Sequence, residues 1–228
     1  MLKCGFAVGS FWLAAAAGAA PGFLIEPSGQ ATGSTCQSYA LAVALAFKRD
    51  PTMPVQTAAD LRKTEVAIRA RITQAAGTNP VNHDHVRDGF NAYTGGKYKL
   101  TIKPADFALV GDVVSKRSGV VAEQATPPSF LLGAVAKDVV LASAVRIGTD
   151  TYGSGHIFAM VGATAPANSS QKFLILNSGV KVKNTTQKAC SYGVPDDPGS
   201  YTAMLGWVKT TDIEFKQLGG KVLLWTVD

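Results

Sequence analysis

Between residues 36 and 48 apolar side chains fall on nearly every side of a helical turn, with Gln37, Ser38 and Lys48 as the polar exceptions. Gly33, Ser34 and Thr35 ahead of this run disfavour helix, and Arg49, Asp50 and Pro51 close it. A helix that is apolar all round belongs in an interior, so this one is expected to be central. A second helix is expected over 57–76. Thr57 and Asp60 form a cap-and-box pair, Gly77 ends it, and Ala58, Leu61, Val66, Ile68, Ile72 and Ala75 offer an imperfect apolar stripe. Arg62, Lys63, Arg69 and Arg71 are left to face water. A third helix, over 82–93, is capped by Asn82 and stopped by Gly95 and Gly96.

Beyond residue 97 the period falls to two and β-branched residues take over. Strands are expected over 98–102, 107–114, 139–147, 157–161, 172–176, 201–208 and 221–225. Gly111 and Asp112 are able to split the second of these, and Pro127 and Pro128 precede a short helix over 129–136. Residues 21–35 and 179–200 are rich in turn formers and are expected to be irregular. A connection as long as the latter lies near a binding region or is an inert excursion. Helices first and strands second imply an α+β fold, either as two lobes or segregated around one cleft.

Composition narrows the class. The chain has 228 residues, 46% hydrophobic and 17% charged, enough to bury one sizeable core. Its net charge of +6 is spread out, with no basic run or aromatic–basic interleaving, so nucleic acid is not an expected partner. Residues 1–20 have the form of a signal peptide: Lys3, an apolar run over 6–17, then Ala17, Gly18 and Ala19. The run is too short and too rich in Ala and Gly to suggest a stable membrane span, although a buried N-terminal helix is an alternative. The expected domain is therefore 21–228, secreted or periplasmic. Cleavage would leave only Cys36 and Cys190, which could pair, although their spacing does not decide it and two cysteines are not a disulfide framework.

Cys36 would stand in the first turn of the first helix, where backbone N–H groups and the helix dipole favour a thiolate. Packing is the plainer role for a lone cysteine. Of the three histidines, His83 and His85 bracket Asp84 on a polar helix at a spacing that does not share a face; a solvated or capping role suits them better than metal binding. Cys4, Cys36, Cys190 and the histidines lack compact metal-ligand spacing, and no glycine-rich nucleotide fingerprint occurs, so no cofactor or metal is expected. His156 follows the glycine-rich turn 153–155 and opens an apolar strand, which suits a proton acceptor or a satisfied structural histidine. Asn177 closes the next strand, where it could orient an imidazole or merely form a turn with Ser178 and Gly179. Gln30, six residues before Cys36, could aim an N–H at a developing oxyanion or simply be solvated.

In order and in role these segments resemble the papain-like cysteine peptidases: Gln30 and then Cys36 opening an alanine-rich helix, Gly155 and His156 opening a strand, and Ile175, Leu176, Asn177 and Ser178 closing the next. They are similar also to the bacteriocin-processing peptidases. The resemblance implies Cys36 as nucleophile, His156 as general base, Asn177 as its orienting group and Gln30 as oxyanion donor. It further implies a helical left lobe, an antiparallel β-rich right lobe, and an active-site cleft between them. The chain departs from the family pattern at Gln37 in place of tryptophan, at Gly33 in place of cysteine, and at Gly179 in place of the tryptophan that shields the His–Asn pair; Trp207 is the replacement shield available. The implied activity is thiol-dependent hydrolysis of a peptide or protein. A cell-wall peptide amidase or acyltransferase is the nearest alternative, and a catalytically inactive protein-binding module the second.

Overall fold

A computed structural model describes residues 24–25, 28–31, 35–48, 55–120, 136–164, 170–181 and 201–228. The expected signal peptide, the 129–136 helix up to residue 135, and most of the expected 179–200 irregular stretch lie outside these residues. The elements are β1 (Leu24–Ile25), α1 (Cys36–Lys48), β2 (Val55–Gln56), α2 (Ala58–Ala76), α3 (His83–Thr94), β3 (Leu100–Ala105), α4 (Phe107–Ser118), β4 (Val140–Ile147), β5 (Asp150–Ala163), β6 (Lys172–Lys181), β7 (Tyr201–Lys209), a 3-10 turn (Thr210–Asp212), β8 (Ile213–Phe215), β9 (Gln217–Leu218) and β10 (Lys221–Val227).

The first helix is central, as its sequence demands. Every residue of α1 except Gln37 and Lys48 is buried, and the helix packs most extensively on α2, with β5 covering another side. α2 starts at a capping box in which Thr57 accepts from the Asp60 N–H and the Asp60 carboxylate accepts from the Thr57 N–H. Its buried face is Leu61, Thr64, Glu65, Ile68, Ile72 and Ala76; Val66, expected inside, is exposed. α3 is capped by Asn82, and Gly95 ends it in the left-handed conformation. α2 and α3 approach so closely at Gly89 that a Cβ there would lie 2.5 Å from the Ile72 Cα.

One antiparallel sheet in the order β3-β10-β4-β5-β6-β7 holds most of the second half. It is not closed into a barrel. β8 pairs with the end of β4 beyond β10, and β9 forms a hairpin with β10 across Gly219 and Gly220, whose φ of 59° and 77° suit a two-residue turn with both central residues left-handed. The helices and the sheet share one hydrophobic cluster. The fold is thus mixed α+β, with a helical region and an antiparallel sheet. Among the described residues no helix is long and apolar enough to cross a membrane.

Three expectations need correction. Residues 107–114 are the start of a helix, α4, and not a strand. Val110, Val114 and Ser118 recur every fourth residue toward the core, and Gly111 lets the helix approach so closely that a Cβ would fall 2.1 Å from the Gln171 side chain. His156 does not open its strand but sits inside β5, which begins at Asp150. The strand expected over 172–176 continues to Lys181 through a register shift between Asn177 and Val180, so the alternative of a turn at Asn177, Ser178 and Gly179 is not realised.

The Gly89 contact makes a prediction. Gly89→Ala should lower unfolding stability by about 2 kcal/mol, because a methyl group must push two helix backbones apart. Urea unfolding of the two proteins measures this directly.

Candidate active site

Asn177 stands at the register shift of β6, and His156 stands on the neighbouring β5. The shift re-aims the amide so that Asn177 Oδ1 lies 2.6 Å from His156 Nε2. The amide cannot be turned round. Its oxygen also accepts from the Gly179 N–H at 2.9 Å, and its Nδ2 donates to the Tyr152 hydroxyl at 2.8 Å. An amide oxygen only accepts, so His156 carries its proton on Nε2 when neutral, and Nδ1 is the basic nitrogen.

The imidazole is enclosed. Tyr152 stacks on it with ring centroids 4.4 Å apart, and on Gly179 a Cβ would come within 2.5 Å of His156 Cε1. Tyr152 therefore fills the shielding place for which Trp207 was the sequence candidate; Trp207 sits on β7 in register with Leu174. His156 has no exposed surface, and burial pushes its pKa down to about 4 against a smaller opposing effect of the Asn177 bond. The ring is neutral at pH 7.

Gln30 is buried, not solvated. Its backbone N–H donates to the Ser178 carbonyl at 3.1 Å, and the Ser178 hydroxyl donates to its side-chain oxygen at 3.4 Å. The residues around it are tied on every side. Ser28 N–H donates to the Tyr39 hydroxyl at 3.0 Å, Arg62 donates to the Gly29 carbonyl at 2.8 Å, and Ala31 N–H donates to Glu65 Oε1 at 2.7 Å. Glu65 is wholly buried, and desolvation pushes its pKa up to about 7 despite the bonds from Thr35 and Ala31.

Gln30, Asn177 and His156 are thus brought together by direct bonds and adjacent residues on β6. Cys36 is the first residue of α1, buried at 3% exposure, and its sulfur is disulfide-bonded. The other two cysteines, Cys4 and Cys190, lie outside the described residues. Cys36 lines a cavity of about 420 Å³ whose wall includes Gly155 and Ile157, on either side of His156, but not the His156 ring. His83 lies on the same wall, edge-on to Trp225 with centroids 5.5 Å apart. His85 caps α3, its Nδ1 accepting from the Asn82 N–H. Among the described residues no group of His, Cys, Asp and Glu could hold a metal ion.

Two residues of this region escaped the sequence. Glu65 could have been found, because it interrupts the Leu61–Ile68–Ile72 stripe with a charge on the buried face. Tyr152 could not, since Gly153, Ser154 and Gly155 between it and His156 have the composition of a turn. No family model, curated protein or solved structure matches the chain.

The two shifted groups oppose one another in stability. Between pH 4.5 and 6.5 unfolded His156 binds a proton that the folded ring refuses, so its contribution rises with pH by about 1.4 kcal/mol per unit. Over the same window folded Glu65 keeps a proton that the unfolded chain has released, so its contribution falls at about the same slope. In the wild type they cancel. Glu65→Gln should therefore make stability rise with pH across this window by roughly 3 kcal/mol relative to the wild type, measured by urea unfolding at its two ends.

Proposed function

We propose that this chain is a thiol-dependent hydrolase of the papain-like kind, cleaving a peptide or amide bond through an acyl-enzyme on Cys36. The observation that carries this reading is the His156 Nε2–Asn177 Oδ1 contact at 2.6 Å, with the amide locked by the Gly179 N–H and by Tyr152. The neutral imidazole, its tautomer held in this way, offers Nδ1 as the proton acceptor, and pairing with the thiolate would raise the low pKa that burial gives the ring. The finer architecture belongs to the same proposal: a helical lobe carrying Cys36 and a β-rich lobe carrying His156 and Asn177, with the cavity as the substrate cleft.

The disulfide on Cys36 makes the described form a resting one. An external dithiol would reduce it, becoming oxidised to a disulfide while Cys36 and its partner each gain a thiol. His156 Nδ1 would then take the Cys36 proton, and the thiolate would attack the carbonyl carbon. Gln30 and the Cys36 backbone N–H would donate to the oxyanion. The imidazolium would protonate the leaving amine, and water, deprotonated by His156, would release the acid and restore the thiol. A disulfide also accords with a secreted or periplasmic protein whose first twenty residues are a signal peptide. Peptide or protein is the first substrate class, and cell-wall peptide the alternative on the same chemistry.

A second reading is favoured by two observations: the sulfur is blocked, and the His156 ring has no exposed surface. On that reading the chain is a catalytically silent protein-binding module.

One experiment separates the two. After treatment with dithiothreitol, iodoacetamide should label Cys36 at neutral pH, and casein or purified cell-wall fragments should be hydrolysed. Without reduction, neither should occur. Gln30→Ala should cost about a hundredfold in turnover with the fold retained, and Asn177→Ala a comparable loss. Undiminished turnover by reduced Cys36→Ala would falsify the hydrolase, and an inert thiol after reduction would leave the binding module.

A further inference from the structure

The cavity beside Cys36 has a charge character that its catalytic neighbours do not explain. Its lining includes the apolar side chains of Ile157, Leu223 and Trp225, and an exposed Leu218. Among the described residues one cation belongs to the wall, Lys216, and no Asp or Glu does. Lys216 Nζ donates to the Ser154 carbonyl at 2.6 Å, which occupies one of its three hydrogens, and no carboxylate pairs with it among the described residues. The lysine is held at this place from both ends. Its backbone N–H donates to the Ser143 carbonyl at 2.8 Å, and its side chain lies against Gly155, where a Cβ would meet Lys216 Cδ at 2.8 Å.

The start of α1 adds to the positive bias. Cys36 and Gln37 in its first turn lie on the cavity wall, whereas at the start of α3, where Asn82 and His83 lie on the same wall, Asp84 in the first turn offsets the dipole and is itself paired with Arg87. Burial first, and then the Lys216 charge, hold His83 toward its neutral form against the opposing Asp84 carboxylate. Lys216 is exposed, and its ammonium, anchored on a carbonyl beside the α1 N-terminus and bordered by apolar residues, is placed to accept an anion at the cavity.

We infer that this cavity binds the carboxylate of an acidic peptide, with Lys216 as the residue that selects it and with an apolar side chain of the same peptide on Trp225 and Leu223. This rests on the hydrolase reading in that the acidic residue would lie beside the bond presented to Cys36. The binding itself needs no turnover.

The test uses the full-length Cys36→Ala chain, which can neither cleave nor form the disulfide. N-acetyl-Leu-Glu-Leu-amide and its Gln counterpart are titrated into it by calorimetry. The Glu peptide should bind about five- to tenfold more tightly. The preference should vanish when Lys216→Met is added, since methionine keeps the apolar stem without the charge, and it should shrink in high salt. Equal affinities, a preference that survives Lys216→Met, or no binding of the Glu peptide at millimolar concentration each overturn the inference. A lysine-dependent preference in a chain whose reduced wild type hydrolyses nothing keeps the anion site and removes the hydrolase. Hydrolysis with no preference does the reverse.

Discussion

The constraint on which the rest depends is that α1 has no polar side to give to solvent. A helix buried around its whole circumference must be covered on every face, and here the covering is done by β5 on one side and α2 on another, with β4, β6 and β10 completing the contact. Such a helix cannot slide or rotate without losing apolar contact somewhere. Its first residue, Cys36, therefore occupies a rigid position at the boundary between helices and sheet, and the cavity opens there because Gln37 is the one break in the buried surface before Lys48.

Around that apolar element a thin layer of polar groups joins the two halves. Residues 28–31 cross from α2 to β6, held by Tyr39, Arg62 and Glu65 on the helical side and by Ser178 on the strand side. On the sheet, Tyr152, His156, Asn177 and Gly179 form one closed set of contacts in which each partner fixes another. Buried polar groups impose directions where apolar packing does not, because each unmet bond is costly. The helical half supplies position, and the polar layer supplies orientation.

Much of this could be read along the chain, and the reasons for the rest are specific. α1 was legible from its unbroken apolar run, and α2 and α3 because their ends are written in caps: Thr57 with Asp60, Asn82, and Gly77 and Gly95 beyond the last turns. α4 was not, because its β-branched run resembles a strand until Val110, Val114 and Ser118 are seen to face one core. Asp106 before it and Lys116, Arg117 and Gly119 at its end were the overlooked boundary signals. Gln30, His156 and Asn177 could be named from order and spacing, and the structure brings them together. The Tyr152 stack and the Glu65 anchor depend on register and on helix rotation, which no short window of sequence contains. The state of the Cys36 sulfur is likewise a matter of three-dimensional proximity, since spacing alone leaves cysteine pairing open.

The position of β10 carries a consequence for how the molecule is made. This strand lies between β3 and β4, so β3 has no neighbour in the sheet until a segment more than a hundred residues downstream has arrived. During synthesis the helices can assemble early from local contacts, whereas the sheet edge must wait for nearly the whole described chain to emerge. A nascent chain stalled before residue 221 would hold Leu100–Ala105 as an unsatisfied ribbon, open to pairing with any extended segment nearby.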